Sequence, residues 1–344
     1  MRNQPIEKLL PVLQPQKKAV IIPHKSPDGD AMGSTLGLYH YLTGKGLSCT
    51  VISPNAYPEF LDWLPGNETV KRYDNNTAAC DELIKAADFV FTLDFNVLSR
   101  VYVMQAVLEE VRKKEKAVFV MIDHHEQPGD YADFIYSIPE ASSTCELIYN
   151  VIEKFGDKDK IDHKIAACLY TGIMTDTGSF KFSSTSSNTH RVIAELIDKG
   201  ANHTQIHQNI YDTKTFDQLQ LLGVALNNLK VLKNKKTAYI TLSQKELNDH
   251  YFKKGDTEGI VNYGLSLKGI ILAAIFIENK DEGIIKISLR SKGDFNVNTM
   301  ARTHFDGGGH NNAAGGRSFK ELKETAKYFE SILPQYKSLT TDVA

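Results

Sequence analysis

Apolar residues fall into two patterns along the first two-thirds of the chain, and the patterns alternate. Lys18–Pro23 (KAVIIP), Ser48–Ser53 (SCTVIS), Phe89–Leu93 (FVFTL) and Ala117–Ile122 (AVFVMI) are short runs dense in Val, Ile and Phe. Such near-continuous runs suit strands buried on both faces. Between the first two runs, Ala31–Leu42 (AMGSTLGLYHYL) sets Leu36, Tyr39 and Leu42 at helical spacing. Strands alternating with helices predict an α/β domain with a doubly wound, mainly parallel sheet.

The spacing next predicts helices at His190–Gly200 and Thr215–Leu232. A new pattern begins near Thr237, with strands at Ala238–Leu242, Ile270–Ile277 and Ile284–Leu289 and helices near Gln244–Phe252, Asn298–Phe305 and Lys320–Leu333. This predicts a smaller C-terminal α/β domain across a cleft from the first. At roughly 100–200 residues per domain, 344 residues fit two domains. The expected division is 1–208, a linking helix over 209–230, and 231–344.

Polar residues follow the strands at once. His24 follows the first, Asp94 the third, and Asp123–His125 the fourth. Ligands of open α/β sheets bind outside the carboxyl ends of the strands, so three strands deliver Asp and His to one edge. His24-Lys-Ser-Pro-Asp28-Gly-Asp30 places one imidazole and two carboxylates in one loop, a donor set for divalent cations such as Mn²⁺. Pro27 stiffens that loop and Gly29 lets it turn. Asp30 is equally well read as the N-cap of the helix that follows. Asp94 reads as a turn residue or a ligand. Asp176, in TGIMTDTGSF after the apparent helix IAACLYTGIM, reads as a cap or a ligand.

Composition adds three constraints. The longest apolar run, Ile270–Ile277, is far short of the roughly 20 residues that span a bilayer. No secretory signal is legible at the N-terminus, and the four cysteines form no C-x-x-C pair, so a cytoplasmic protein with reduced thiols is expected. The net charge of −2 hides an asymmetry: 23 Lys and Arg against 29 Asp and Glu over residues 1–230, but 17 against 13 over 231–344. An acidic first part suits cations, and a basic second part suits an anionic substrate.

The motifs together resemble the DHH phosphoesterases. PDGDAMGS at 27–34, Asp94, Asp123-His124-His125 and TDTG at 175–178 match the family's DHH domain. SLRSKGDFNVNTMA at 288–301 and GGGHNNAAGG at 307–316 match its DHHA1 domain. The two-domain length most resembles the nanoRNase/pAp phosphatase branch, the NrnA-like proteins. The resemblance implies two divalent metal ions, both Mn²⁺, with Mg²⁺ as the alternative. One would take His24, Asp28 and Asp94, and the other Asp30, Asp94, His124 and Asp176, with Asp94 bridging. It further implies that His125 faces the scissile phosphate while Asp123 orients a neighbour.

In the C-terminal domain three glycines permit close backbone approach, which reads either as a tight turn or as a phosphate cradle. The resemblance favours the cradle, with Gly308, Gly309 and His310 as a clamp and Arg290 pairing with a terminal phosphate. Lys181 adds charge near the site or is a surface lysine. The implied activity is hydrolysis of short RNA oligonucleotides to mononucleotides and of pAp to AMP. Cyclic or linear di-adenylate is the alternative substrate. An inorganic pyrophosphatase, a RecJ-like exonuclease and an inactive binding module fit less well. No membrane or protein partner is expected, and a homodimer is compatible with the resemblance.

Overall fold

The structure is a computed structural model that describes residues 4–253 and 255–339. The chain forms two compact units, Met1–Thr213 and Lys214–Ala344. In the first, strands β1 (Lys18–Pro23), β2 (Ser48–Ser53), β3 (Lys71–Arg72), β4 (Phe89–Leu93), β5 (Val118–Asp123) and β6 (Phe134–Ser137) form one sheet in the order β3-β2-β1-β4-β5-β6. Every neighbouring pair is parallel. The strand order reverses direction between β1 and β4, so the crevice of a doubly wound sheet opens at their carboxyl ends. His24 and Asp94 stand there.

Along β1 the side chains alternate between two cores. Ala19 and Ile21 pack on one face with Met32, Leu36, Ile148 and Leu169, whereas Val20 and Ile22 pack on the other with Ile84, Val107 and Leu108. The first core is closed by helices α1 (Gly29–Gly44), α4 (Thr144–Lys154), α5 (His163–Asp176), α6 (Ser187–Asp198) and α7 (His203–Tyr211), and the second by α2 (Thr77–Lys85) and α3 (Gln105–Lys113). Burial on both faces is why these strands read as continuous apolar runs.

Helices α1 and α5 touch backbone to backbone. A Cβ on Gly33 would lie 2.5 Å from the Cys168 carbonyl, and one on Gly37 would lie 2.7 Å from Leu169 Cδ2. A Cβ on Gly29 would lie 2.3 Å from Thr175 Oγ1. Gly29 is therefore the first residue of α1 and is glycine for close packing, not for a turn between two carboxylates. From the α5 side, a Cβ on Gly172 would meet Cys145 Sγ at 2.1 Å and Asp30 Oδ1 at 2.8 Å.

The second unit carries helices α8 (Phe216–Asn227), α9 (Gln244–Asp249), α10 (Val261–Leu265), α11 (Val297–His304) and α12 (Leu322–Ile332). Its sheet has the order β11-β12-β10-β9-β8-β7, from β7 (Lys230–Leu232), β8 (Thr237–Leu242), β9 (Leu272–Asn279), β10 (Ile284–Ser291), β11 (Gly308–Gly309) and β12 (Ala313–Ser318). Only β8 and β9 pair in parallel. Residues 209–230, expected to link the domains, divide among three elements. The helix proper stops at Asn227, and Lys230–Leu232, expected at its end, pair as a strand with β8. Leu221 and Ala225 pack into the core with Ile240 and Ile275. Among the described residues no helix is long and apolar enough to cross a membrane.

The close approach of α1 and α5 generates a stability prediction. Gly33→Ala puts a methyl against a backbone carbonyl that cannot rotate away, and it should cost about 1–3 kcal/mol. Urea unfolding of the two proteins measures it, and an unchanged midpoint would mean that the helices can separate at no cost.

Candidate metal centre

Six of the residues singled out by the motifs, His24, Asp28, Asp30, Asp94, His124 and Asp176, meet at the carboxyl edge of the first sheet. Asp94 follows β4 with its backbone in the left-handed region (φ +63), a conformation that Asp tolerates better than most residues. Its N–H still donates to the Ile122 carbonyl of β5 (3.1 Å). Its side chain is buried and meets two groups of ligands. Asp94 Oδ2 lies 3.4 Å from His24 Nε2, which is 3.9 Å from Asp28 Oδ2. Asp94 Oδ1 lies 3.5 Å from His124 Nε2, which is 3.8 Å from Asp30 Oδ2 and 3.5 Å from Asp176 Oδ2. Donor atoms of His24, Asp28 and Asp94 all fall within 4.8 Å of one another, as do those of Asp30, Asp94 and His124.

Local structure explains each placement. Asp28, not Asp30, caps α1: its carboxylate accepts from the N–H groups of Asp30 and Ala31. Asp30 sits inside the first turn, pointing at the start of α4. There the N–H of Thr144 (2.7 Å) and that of Cys145 (2.9 Å) donate to its two oxygens. A carboxylate at a helix N-terminus meets unpaired amides and the positive end of the helix dipole. Asp176 is the last residue of α5.

Thr144 carries a second contact, with its hydroxyl donating to Asp94 Oδ1 (2.9 Å). This residue escaped the motif analysis, because SSTCE at 142–146 belongs to none of the motifs and threonine is not a metal-ligand type. Its one legible signal was a Ser-Thr pair opening a helix. Asp123 and His125 form a separate pair, with His125 Nδ1 2.7 Å from Asp123 Oδ1. Asp123 is fully buried, and its Oδ2 has no hydrogen-bond partner among the described residues. Lys181 is exposed, five residues beyond Asp176.

The donor set fits divalent cations. His24 Nδ1 faces the Lys25 carbonyl (2.9 Å) and His124 Nδ1 the Ala141 carbonyl (3.3 Å). A nitrogen facing a carbonyl can only donate, so in the neutral ring Nε2 keeps its lone pair. Both Nε2 atoms then point lone pairs at carboxylate oxygens, an arrangement that calls for a cation or a proton between them. Without metal the cluster takes protons. Burial opposes charge on His24, but the bond to Asp94 and the charges of Asp28 and Asp94 outweigh it and push the pKa up to about 9. His124 is likewise disfavoured by burial, yet Asp176, Asp94 and Asp30 push it up to about 9. Burial and the charges of Asp94 and Asp176 raise the Asp30 carboxyl well above the usual range. Asp94 is held below that range: burial works against it, and His24, His125 and His124 outweigh burial.

The second unit holds the remaining motif residues. Arg290, on β10, pairs with Ala313 of β12, and Gly308 and Gly309 form β11 against Gly315 and Ala314. A Cβ on Gly309 would lie 2.5 Å from the Ala313 carbonyl, so strand pairing demands that glycine. The N–H of Gly309 donates to Asn298 Oδ1 (3.0 Å) and that of His310 to the Ala313 carbonyl (2.7 Å). Those two amides are thus already engaged.

Two predictions follow from the cluster. At about pH 7.5, with both imidazoles protonated, Mn²⁺ uptake must expel protons because the ligand form is neutral. Calorimetric titration in two buffers of different ionisation enthalpy should show proton release, with affinity rising as the pH climbs toward 9. Identical heats in both buffers would contradict this. Secondly, Thr144→Val removes a donor from Asp94 and should weaken metal uptake roughly tenfold or more, whereas Thr144→Ser should preserve it.

Residues 18–173 match the model of the DHH family, N-terminal domain, and residues 234–333 match the DHHA1 domain. The chain is 28% identical over 313 residues to a protein of Streptococcus mutans named "Probable bifunctional oligoribonuclease and PAP phosphatase NrnA", covering 91% of this chain and 93% of that protein. It is 25% identical over 330 residues to the cyclic-di-AMP phosphodiesterase GdpP of Bacillus subtilis, covering 94% of this chain and 49% of that protein. The crystal structure of an exopolyphosphatase-related protein from Bacteroides fragilis superposes with a TM-score of 0.92 at 40% identity, over 97% of this chain and 96% of that one. The chain belongs to the DHH family of phosphoester hydrolases, with a DHHA1 domain following its DHH domain.

Proposed function

We propose that the protein hydrolyses short RNA oligonucleotides to mononucleotides and converts pAp to AMP in the cytoplasm, using two divalent metal ions, with Mn²⁺ ahead of Mg²⁺. The observation that carries the metal chemistry is Asp94, whose two oxygens face two separate His–Asp groups at 3.4 and 3.5 Å. His24, Asp28 and Asp94 would hold one ion, and Asp30, Asp94, His124 and Asp176 the other. Bound there, two cations supply charge neutralisation for a phosphoryl group and lower the pKa of water.

The chain's own residues do the rest. The Nδ1 contacts of His24 and His124 hold each ring with Nε2 toward the carboxylates. Asp123 holds His125 by Nδ1, leaving Nε2 as the atom that meets the scissile phosphate or the leaving oxygen. Thr144 and the first turn of α4 hold Asp94 and Asp30 in place, so the ligands need not reorganise on binding. In the second unit Arg290 and the His310 side chain would hold a phosphate at the substrate's non-reacting end, with Gly308 and Gly309 letting the backbone come close rather than donating, and Lys181 would add positive charge. The RNA and pAp assignment is supported by likeness to the NrnA protein over nearly the whole of both chains. Likeness to GdpP supports the second reading, in which cyclic or linear di-adenylate is the substrate.

A side-by-side assay with Mn²⁺ tests this on RNA of two to five nucleotides, pAp, linear and cyclic di-adenylate and pyrophosphate. Mononucleotide release from short RNA, with pAp also cleaved, is expected. Turnover of cyclic di-adenylate alone would replace the substrate assignment. Asp94→Asn should lower every activity roughly a thousandfold or more while the protein stays folded.

A further inference from the structure

The segment that follows Asp94 carries an unexplained strain. Leu98–Met104 is a short helical stretch interrupted at Tyr102, whose backbone stands at φ 55, ψ −119. For a residue with a Cβ this is costly, and such outliers persist where surrounding structure holds them for a purpose. Packing is not that purpose, because Tyr102 is 63% exposed. Val97 and Val103 of the same segment are exposed as well.

The segment that carries Tyr102 is bonded to the residue after His24. The N–H of Lys25, the residue after His24, donates to the Arg100 carbonyl (2.8 Å), which ties this segment to the ligand loop. Lys25 Nζ lies 4.2 Å from the Tyr102 ring centroid, over the ring face. Arg100 is close enough to His24 for its charge to oppose protonation of that imidazole. Lys25 and Arg100 make no ion pair among the described residues. His24 is thus followed by a lysine that reaches over an exposed aromatic ring, with Arg100 on the same segment as that ring.

We propose that Tyr102 and Lys25 are the nucleotide-recognition pair of the first unit: a nucleobase of the substrate stacks on Tyr102 and Lys25 pairs with its phosphate. This deepens the reading above, on which it rests for the identity of the substrate. An aromatic face accepts any base, since every base presents a π-face, and stacking is thus sequence-tolerant. The ammonium over the opposite face polarises the ring and sits where a phosphate needs a counter-charge. Such a pair would select nucleotides over bare phosphates, a distinction that the metal ligands cannot make. Tyr102 does not touch the reacting atoms and is a specificity residue.

The test combines kinetics, binding and stability. With short RNA and pAp, Tyr102→Ala should raise KM at least tenfold with kcat nearly unchanged, Tyr102→Phe should behave as the parent protein, and Lys25→Gln should raise KM for both. An abasic ribose-phosphate dinucleotide should be turned over equally by the parent protein and Tyr102→Ala. Tyr102→Gly, which relieves the strained backbone, should melt at a higher temperature than the parent while showing the raised KM. A structural role would instead lower both stability and kcat. AMP binding in the presence of Mn²⁺, followed calorimetrically, separates the two readings. If the parent binds AMP and Tyr102→Ala does not, the recognition pair stands even where short RNA is not cleaved. Equal AMP affinity in the two proteins, or equal KM for RNA and pAp, overturns the proposal.

Discussion

The centre depends on a buried carboxylate that too many groups need. Asp94 is 2% exposed, yet its two oxygens face His24, His124, His125 and the Thr144 hydroxyl. Charge in such a place is tolerable only with partners on every side. Asp30, at least as deeply buried, lies across His124 from it, and Asp28 and Asp176 stand at the edge with half-exposed and one-third-exposed side chains. Four carboxylates at this spacing repel one another, and the imidazoles alone leave the balance negative. The cluster is stable only as a host for positive charge, whether protons or metal ions.

The fold builds that host by sacrificing side chains elsewhere. Gly29, Gly33 and Gly37 repeat every four residues along one face of α1, and that face lies against α5. The resulting close approach brings Asp30, in the first turn of α1, and Asp176, at the last turn of α5, to the same His124. The N-terminus of α4 closes the remaining side, and its amides fix Asp30 without a further charge. Rigidity at the centre thus comes from backbone contacts, which cannot relax by changing a rotamer.

The surroundings divide the labour of recognition. Carboxylates and imidazoles attract cations and by themselves repel a phosphate. Under the proposed function, Lys25 and Arg100 of the first unit, and Arg290 and His310 of the second, would supply the donors and charge that a phosphate needs.

Much of this was legible in the chain because strand burial writes itself as local composition. The runs at 18–23, 48–53 and 89–93 matched their strands to the residue, and the polar residues that end them, His24 and Asp94, stand at the crevice. Short edge strands such as β3 and β6 left no such mark, and Lys230–Leu232 read as helix because three residues cannot display a period. The sequence by itself determined which donor types exist, their order along the chain, and that a parallel sheet would bring their strands together. Only the tertiary structure decided that Asp28 rather than Asp30 caps α1, that Thr144 serves Asp94 from 50 residues away, and that Gly29 is glycine because Thr175 lies against it. Periodicity records how a residue relates to its neighbours along the chain. A hydrogen bond or a close approach between distant segments depends on how those segments pack, and the local pattern carries no trace of it.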